Sequence, residues 1–168
     1  MNYDIIRLPL LFILLCVLQV FVFNHFQLFG CCMPLLYIYF VLTMRKGMPR
    51  WAMMAWAFAM GLTLDTLSNT PGVAAASMTF LALMQPYVLD LFMVREGNDD
   101  IKPSMSTIGT KSFVNYTVVM TAIYCVVYFT LDTFSFVNWL RLGESIIGST
   151  VLTASLILAA DTLRHKKN

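Results

Sequence analysis

Charge is what this chain has least of. Only 12% of its 168 residues are charged, while 59% are hydrophobic; soluble domains carry about twice that share of charge. So few polar side chains cannot cover a water-facing surface. An ordinary soluble domain is therefore excluded, and an integral membrane protein whose apolar surface meets lipid is expected. Histidine is nearly missing. His25 and His165 fall near opposite faces of the expected membrane layer and cannot form one site. The four cysteines, Cys16, Cys31, Cys32 and Cys125, show no CxxC or Cys/His ligand spacing. They read as small apolar residues in a membrane. There is no nucleophile elbow, no HExxH and no phosphate loop. No run of charges crosses the apolar segments, as a pump would need. No catalytic, metal or cofactor site is expected, and no nucleic-acid partner.

What is present is a succession of six apolar segments: Leu8–Phe26, Cys31–Met44, Trp51–Leu67, Val73–Val94, Phe113–Leu131 and Ser145–Leu163. Each is expected to be a membrane helix, because a lone span in lipid must satisfy its own backbone hydrogen bonds. The first is too long for the apolar core of a signal peptide, and no small-x-small cleavage site follows it. The breaks have turn chemistry: Asn24-His25, Lys46-Gly47-Met48-Pro49, Asn69-Thr70-Pro71-Gly72 and the polar stretch Arg95–Lys111. The length suits one transmembrane domain over residues 1–168. The second segment is short. Fourteen helical residues rise only about 21 Å, against a hydrocarbon core of about 30 Å.

The basic residues test that segment. With the N-terminus in the cytoplasm and six crossings, the inner side holds Arg7, Arg45, Lys46, Arg50, Arg95, Lys102, Lys111, Arg164, Lys166 and Lys167. The outer side holds Arg141 alone. Ten of eleven on one side is a strong positive-inside pattern. Both termini are therefore expected in the cytoplasm, and the pattern supports a crossing second segment. Trp51 and Trp56 near one boundary, and Phe26, Phe29 and Trp139 near the other, suit interfacial belts.

Most of the nine acids have ordinary explanations. Asp4, Glu96, Asp99 and Asp100 read as solvated charge, and Asp132 as an interfacial carboxylate. Asp161 lies three residues before Arg164, and Glu144 three after Arg141, so local ion pairs are expected. Asp90 lies near a helix end close to Arg95. Asp65 is different, because it sits inside an apolar run. A carboxylate facing lipid costs about 2.5–3.5 kcal/mol even on the lenient insertion scale. Asp65 should therefore face other helices. Gly61, Asp65 and Ser68 fall on one helix face. Gly61 admits a close backbone, and Asp65 and Ser68 offer hydrogen bonds across the contact. Pro71-Gly72 ends the helix, and two readings of Asp65 stay open. It either caps the free N–H groups of the next helix or meets a partner or ligand. Two stretches rich in small residues suit helix packing: Gly72 to Ser77, and Gly143 with Gly148 and Ser149. Of these, the Gly143–Ser149 face is the more available to a partner. Pro86 should kink the fourth segment.

The stretch "AMGLTLDTLSNTPGVAAASMTFLAL" resembles the signature region of the MreD family of bacterial rod shape-determining membrane proteins. That family ends its third helix with Gly-x3-Asp-x2-Ser and begins its fourth after a turn with Gly. Gly61, Asp65, Ser68 and Gly72 fit residue by residue. The six segments, the short second one after a proline and the basic tail fit too, whereas the polar stretch at Glu96–Lys111 is longer than is typical. The resemblance implies an all-α six-helix transmembrane bundle, similar in fold to the substrate-binding S-components of energy-coupling-factor vitamin transporters. It implies a non-enzymatic scaffold in the bacterial inner membrane, supporting cell elongation and peptidoglycan synthesis. MreC would be its direct partner, with MreB, RodA and a class B penicillin-binding transpeptidase in the wider complex. The fold likeness supplies the alternative, a small-molecule (vitamin) uptake subunit.

Overall fold

The computed structural model describes residues 2–21, 34–45, 47–68, 72–92, 103, 108–132 and 139–165. Among them the regular structure is all helical: α1 (Asn2–Phe21), α2 (Ile38–Leu42), α3 (Arg50–Ser68), α4 (Val73–Phe92), α5 (Thr110–Asp132) and α6 (Trp139–His165). Among the described residues, three stretches are long and apolar enough to cross a membrane: Val73–Phe92, Thr110–Asp132 and Gly143–Thr162 within α6. The protein is thus a membrane protein by length and composition. Leucine, valine and phenylalanine left exposed on α1, α3, α4, α5 and α6 suit a surface that meets lipid.

The helix directions follow from which residues meet. On α1 and α3, Phe12 packs edge-on against Trp56 at 6.2 Å between centroids, and Cys16 Sγ lies 3.8 Å from Met60 Sδ. Both numbers rise together, so α1 and α3 run parallel. The chain between them must return across the bundle. On α3 and α4 the pairing is reversed: Arg50 meets Tyr87, while Gly61 meets Ala75. These two helices form the most extensive packing in the fold. Their shared turn defines one end of the bundle, the turn end; Arg50 and Tyr87 mark the other.

The returning chain departs from the expected membrane helix. Among the described residues of that segment, 34–44, only Ile38–Leu42 is α-helical, five residues or about 7.5 Å of rise. Residues 34–42 are all buried, and Ile38, Phe40, Val41 and Leu42 are fully enclosed. This segment therefore meets protein on every side. That relaxes the constraint that would make it helical throughout, since irregular backbone is tolerated at membrane depth when protein covers it. Its free donors find partners. The amide of Leu35 donates to Thr153 Oγ1 at 3.1 Å, and the Ile38 and Tyr39 amides close tight turns onto Leu35 and Leu36 carbonyls. Contacts of Leu35 with Thr153 and Tyr39 with Asp161 show it running alongside α6 in the same direction. It reaches the Arg50 end, where the Met44 carbonyl accepts from Gln85 Nε2 at 3.4 Å.

The other segments lie close to their expected limits. α6 begins six residues before Ser145 and takes in the Arg141–Glu144 spacing. α1 begins at Asn2, six residues ahead of Leu8. The Asn24-His25 break, Cys31, Cys32, Phe26, Phe29, most of the Arg95–Lys111 stretch and the last three residues lie outside the described residues.

Candidate functional site

The joint between α3 and α4 gathers the residues singled out around Asp65. Asp65 lies one turn before the end of α3 and is 3% exposed. Its two carboxylate oxygens accept from the first turn of α4: Oδ1 from the Ala74 amide at 3.0 Å and Oδ2 from the Ala75 amide at 2.8 Å. Helix N-termini leave their first amides without intrahelical partners and carry partial positive charge. A carboxylate bonded to two of them answers both deficits, in a place where water is scarce. Of the two readings left open by sequence, the geometry realises the cap of the following helix.

Gly61 lies one turn below Asp65 on the same face and is buried. A Cβ there would stand 2.6 Å from the Ala75 amide nitrogen and 2.7 Å from the Ala74 carbonyl oxygen, and would press on Ala75 Cα. All three are backbone atoms that cannot swing aside. Gly61 thus lets the N-terminus of α4 approach closely enough for Asp65 to hold it. Gly72 completes the joint with φ at 78°, a left-handed conformation that favours glycine, and its carbonyl accepts from Ala76 at 3.1 Å. Ser68 ends α3, half-buried. Ala74, Ala75 and Ser77 turn inward, and Ser77 is fully buried. The first stretch of small residues is therefore spent largely on internal packing.

The second stretch does not form one face. Ser149 is fully buried, whereas a Cβ on Gly143 would meet nothing within 4 Å. Six residues of helix turn these positions well apart. Gly148, adjacent to Ser149, is half-buried. Gly143 shares the outward side of α6 with Ile147 and Val151, which are 68% and 66% exposed.

Two further clusters carry no local signature. Beside the joint, Tyr37 and Tyr124 share a hydroxyl–hydroxyl bond of 2.6 Å, with their rings edge to face. Tyr128 stacks on Tyr124 at 5.7 Å and meets Phe129 edge-on. Tyr37 and Tyr128 are both within electrostatic reach of Asp65. Toward the Arg50 end, Tyr39 donates to Asp161 Oδ1 at 3.1 Å, and Asp161 is 1% exposed. Asp161, three residues before Arg164, points into the bundle and binds a residue 122 positions away. The Arg164 side chain lies outside the described residues. At the same end, Arg50 lies over the Tyr87 ring at 5.2 Å and donates to its hydroxyl at 3.0 Å. Among the described residues, no three His, Cys, Asp or Glu side chains are grouped to hold a metal ion. The chemistry on display is that of holding: a carboxylate on helix amides, tyrosine hydroxyls in pairs, and a glycine at a backbone contact. No family model matches this chain, and neither does any curated protein or solved structure.

Proposed function

We propose that this protein is a non-enzymatic scaffold of the bacterial cell-elongation machinery, of the MreD type, embedded in the inner membrane as a six-crossing bundle with both termini in the cytoplasm. The observation that carries the reading is the use of the Gly61, Asp65 and Gly72 pattern as a structural joint. The ionisable group in the middle of the resembling stretch is bonded to the backbone of the next helix, which suits a protein that holds partners rather than one that transforms a substrate. The parallel course of α1 and α3 agrees with a crossing second segment and so with the ten-to-one distribution of basic residues. MreC is the direct partner in this reading, and MreB, RodA and a class B penicillin-binding transpeptidase belong to the surrounding complex. The outward side of α6 at Gly143 and Ile147 offers a single-span partner close approach, because lipid supplies no hydrophobic drive and helix association there depends on packing.

One observation favours the alternative, a vitamin-uptake subunit with the S-component type of fold. The tyrosine cluster of Tyr37, Tyr124 and Tyr128 beside Asp65 is the kind of aromatic, polar patch that such a subunit needs. Its rings are packed against one another, which favours the scaffold. Depletion of the protein in its host separates the two. Rod-shaped cells that round up while growing on any vitamin supply support the scaffold. Cells that keep their shape but require one added vitamin support uptake.

A further inference from the structure

At the open end of the α3–α4 hairpin, opposite the Asp65 joint, a cation is held on an aromatic ring. Arg50, the first residue of α3, donates from Nη1 to the Tyr87 hydroxyl at 3.0 Å, and its guanidinium lies 5.2 Å from the centre of the ring. The ring orients the guanidinium without neutralising it, because a phenol carries no charge. Tyr87 takes one of the five N–H donors of the fork. Both residues stay open to their surroundings: Arg50 is exposed, and Tyr87 is 53% exposed. Trp51, next in the chain, is 75% exposed. Asp90, also exposed on α4, already has an interaction within the protein. A guanidinium does not rest in hydrocarbon, and tryptophan and tyrosine collect where acyl chains give way to headgroups. This end of the hairpin therefore lies at headgroup level. Phe80, seven residues before Tyr87 on the same face of α4, is 42% exposed about 10.5 Å deeper.

We propose that Arg50, stacked on Tyr87, is the headgroup site for one anionic phospholipid, with the phosphodiester on the guanidinium and an acyl chain running along α4 over Phe80. The planar fork, set in place by the ring, matches two phosphate oxygens. Charge selects among lipids. A zwitterionic headgroup brings a cation of its own, which the guanidinium repels, whereas an anionic one brings net negative charge. The neighbouring sequence has the same sign, since Arg45 and Lys46 precede Arg50 by five and four residues. A lipid seated here bridges α3 and α4 at the end that the Asp65 cap does not reach, whichever function the bundle serves.

Native mass spectrometry of the full chain, released from a neutral detergent and titrated with phosphatidylglycerol or with phosphatidylcholine of the same acyl chains, tests this. The first phosphatidylglycerol is expected to bind several-fold more tightly than the first phosphatidylcholine, and Arg50→Gln is expected to abolish that preference. Lys111→Gln, at an exposed cation near the start of α5, controls for diffuse attraction and should leave the preference intact. Equal binding of the two lipids by the wild type overturns the proposal. So does a preference that survives Arg50→Gln, or one that falls equally in Arg50→Gln and Lys111→Gln. Glycerol phosphate, which has no acyl chains, should not compete; full competition would mean a soluble phosphate ligand and overturn the lipid assignment. Should Arg50→Gln fail to fold, Tyr87→Phe takes its place. It keeps the ring but loses the hydroxyl anchor, so the preference should fall several-fold, and an unchanged preference overturns the proposal.

Discussion

Removing the Asp65 carboxylate should loosen the bundle at its most extensive contact. In Asp65→Leu the amides of Ala74 and Ala75, now bonded to Asp65 at 3.0 and 2.8 Å, both lose their acceptor. The substituted side chain offers nothing polar, and the site is buried. Hydrogen bonds to a charged group are worth about 1.5–3 kcal/mol each, so the pair is worth about 3–6 kcal/mol before relaxation. Solvent-accessible helix caps lie lower, at about 0.5–2 kcal/mol, because water replaces the lost acceptor; here it is excluded. Asp65→Asn keeps one carbonyl oxygen but turns an NH2 group toward the other amide, so roughly half the loss is expected. For a domain of this size each kcal/mol moves the midpoint by about 2–4 °C, which puts Asp65→Leu on the order of 10 °C below the wild type. The assay is thermal unfolding of the detergent-purified protein, followed by tryptophan fluorescence. Asp132→Asn, at an exposed carboxylate on α5, is the control and should leave the midpoint unchanged. If Asp65→Leu melts together with the wild type and Asp132→Asn, the cap is not holding α4 and the reasoning fails.

Two glycines should respond in opposite ways. Gly61→Ala drives a methyl into the backbone of Ala74 and Ala75 and should destabilise by about 1–3 kcal/mol; Gly143→Ala meets open space and should be neutral or stabilise by up to about 1 kcal/mol through helix propensity, both read in the same melting assay. Reporter fusions at Asn168 and near Asn98 should report the cytoplasm and one at Asn69 the outside, because six crossings would put ten of the eleven basic residues on one side. An outside signal at Asn168 would contradict six crossings. Gly143→Leu, on the outward side of α6, should reduce capture of MreC while leaving the protein inserted and monodisperse. Undiminished capture moves the contact elsewhere.

Local chemistry made much of this architecture legible. The limits of α3 and α4 were readable because Pro49 precedes one helix and Pro71-Gly72 separates the two. Asp65 stood out because an unpaired carboxylate at apolar depth is expensive, and its capping role follows from a turn only a few residues long. The second segment was misjudged in form because an apolar run reports burial in lipid and burial in protein alike. Only the fold reveals that Ile38 to Leu42 are enclosed, and enclosure removes the need for a full-length helix. The Tyr37–Tyr124 and Tyr39–Asp161 bonds join residues 87 and 122 positions apart. No spacing rule reaches that far, and tyrosines in apolar runs read as ordinary core or interface aromatics. The small residues from Gly143 to Ser149 misled for a related reason. Proximity in sequence suggested a shared face, but helical geometry turns Gly143 outward and Ser149 inward.

The scaffold reading is tested most directly by affinity purification of the protein from its native membranes, with identification of whatever comes with it. The account expects MreC together with peptidoglycan synthases of the RodA and class B transpeptidase kind. Recovery of a transporter ATPase module, with MreC absent, would contradict it and establish the uptake reading in its place.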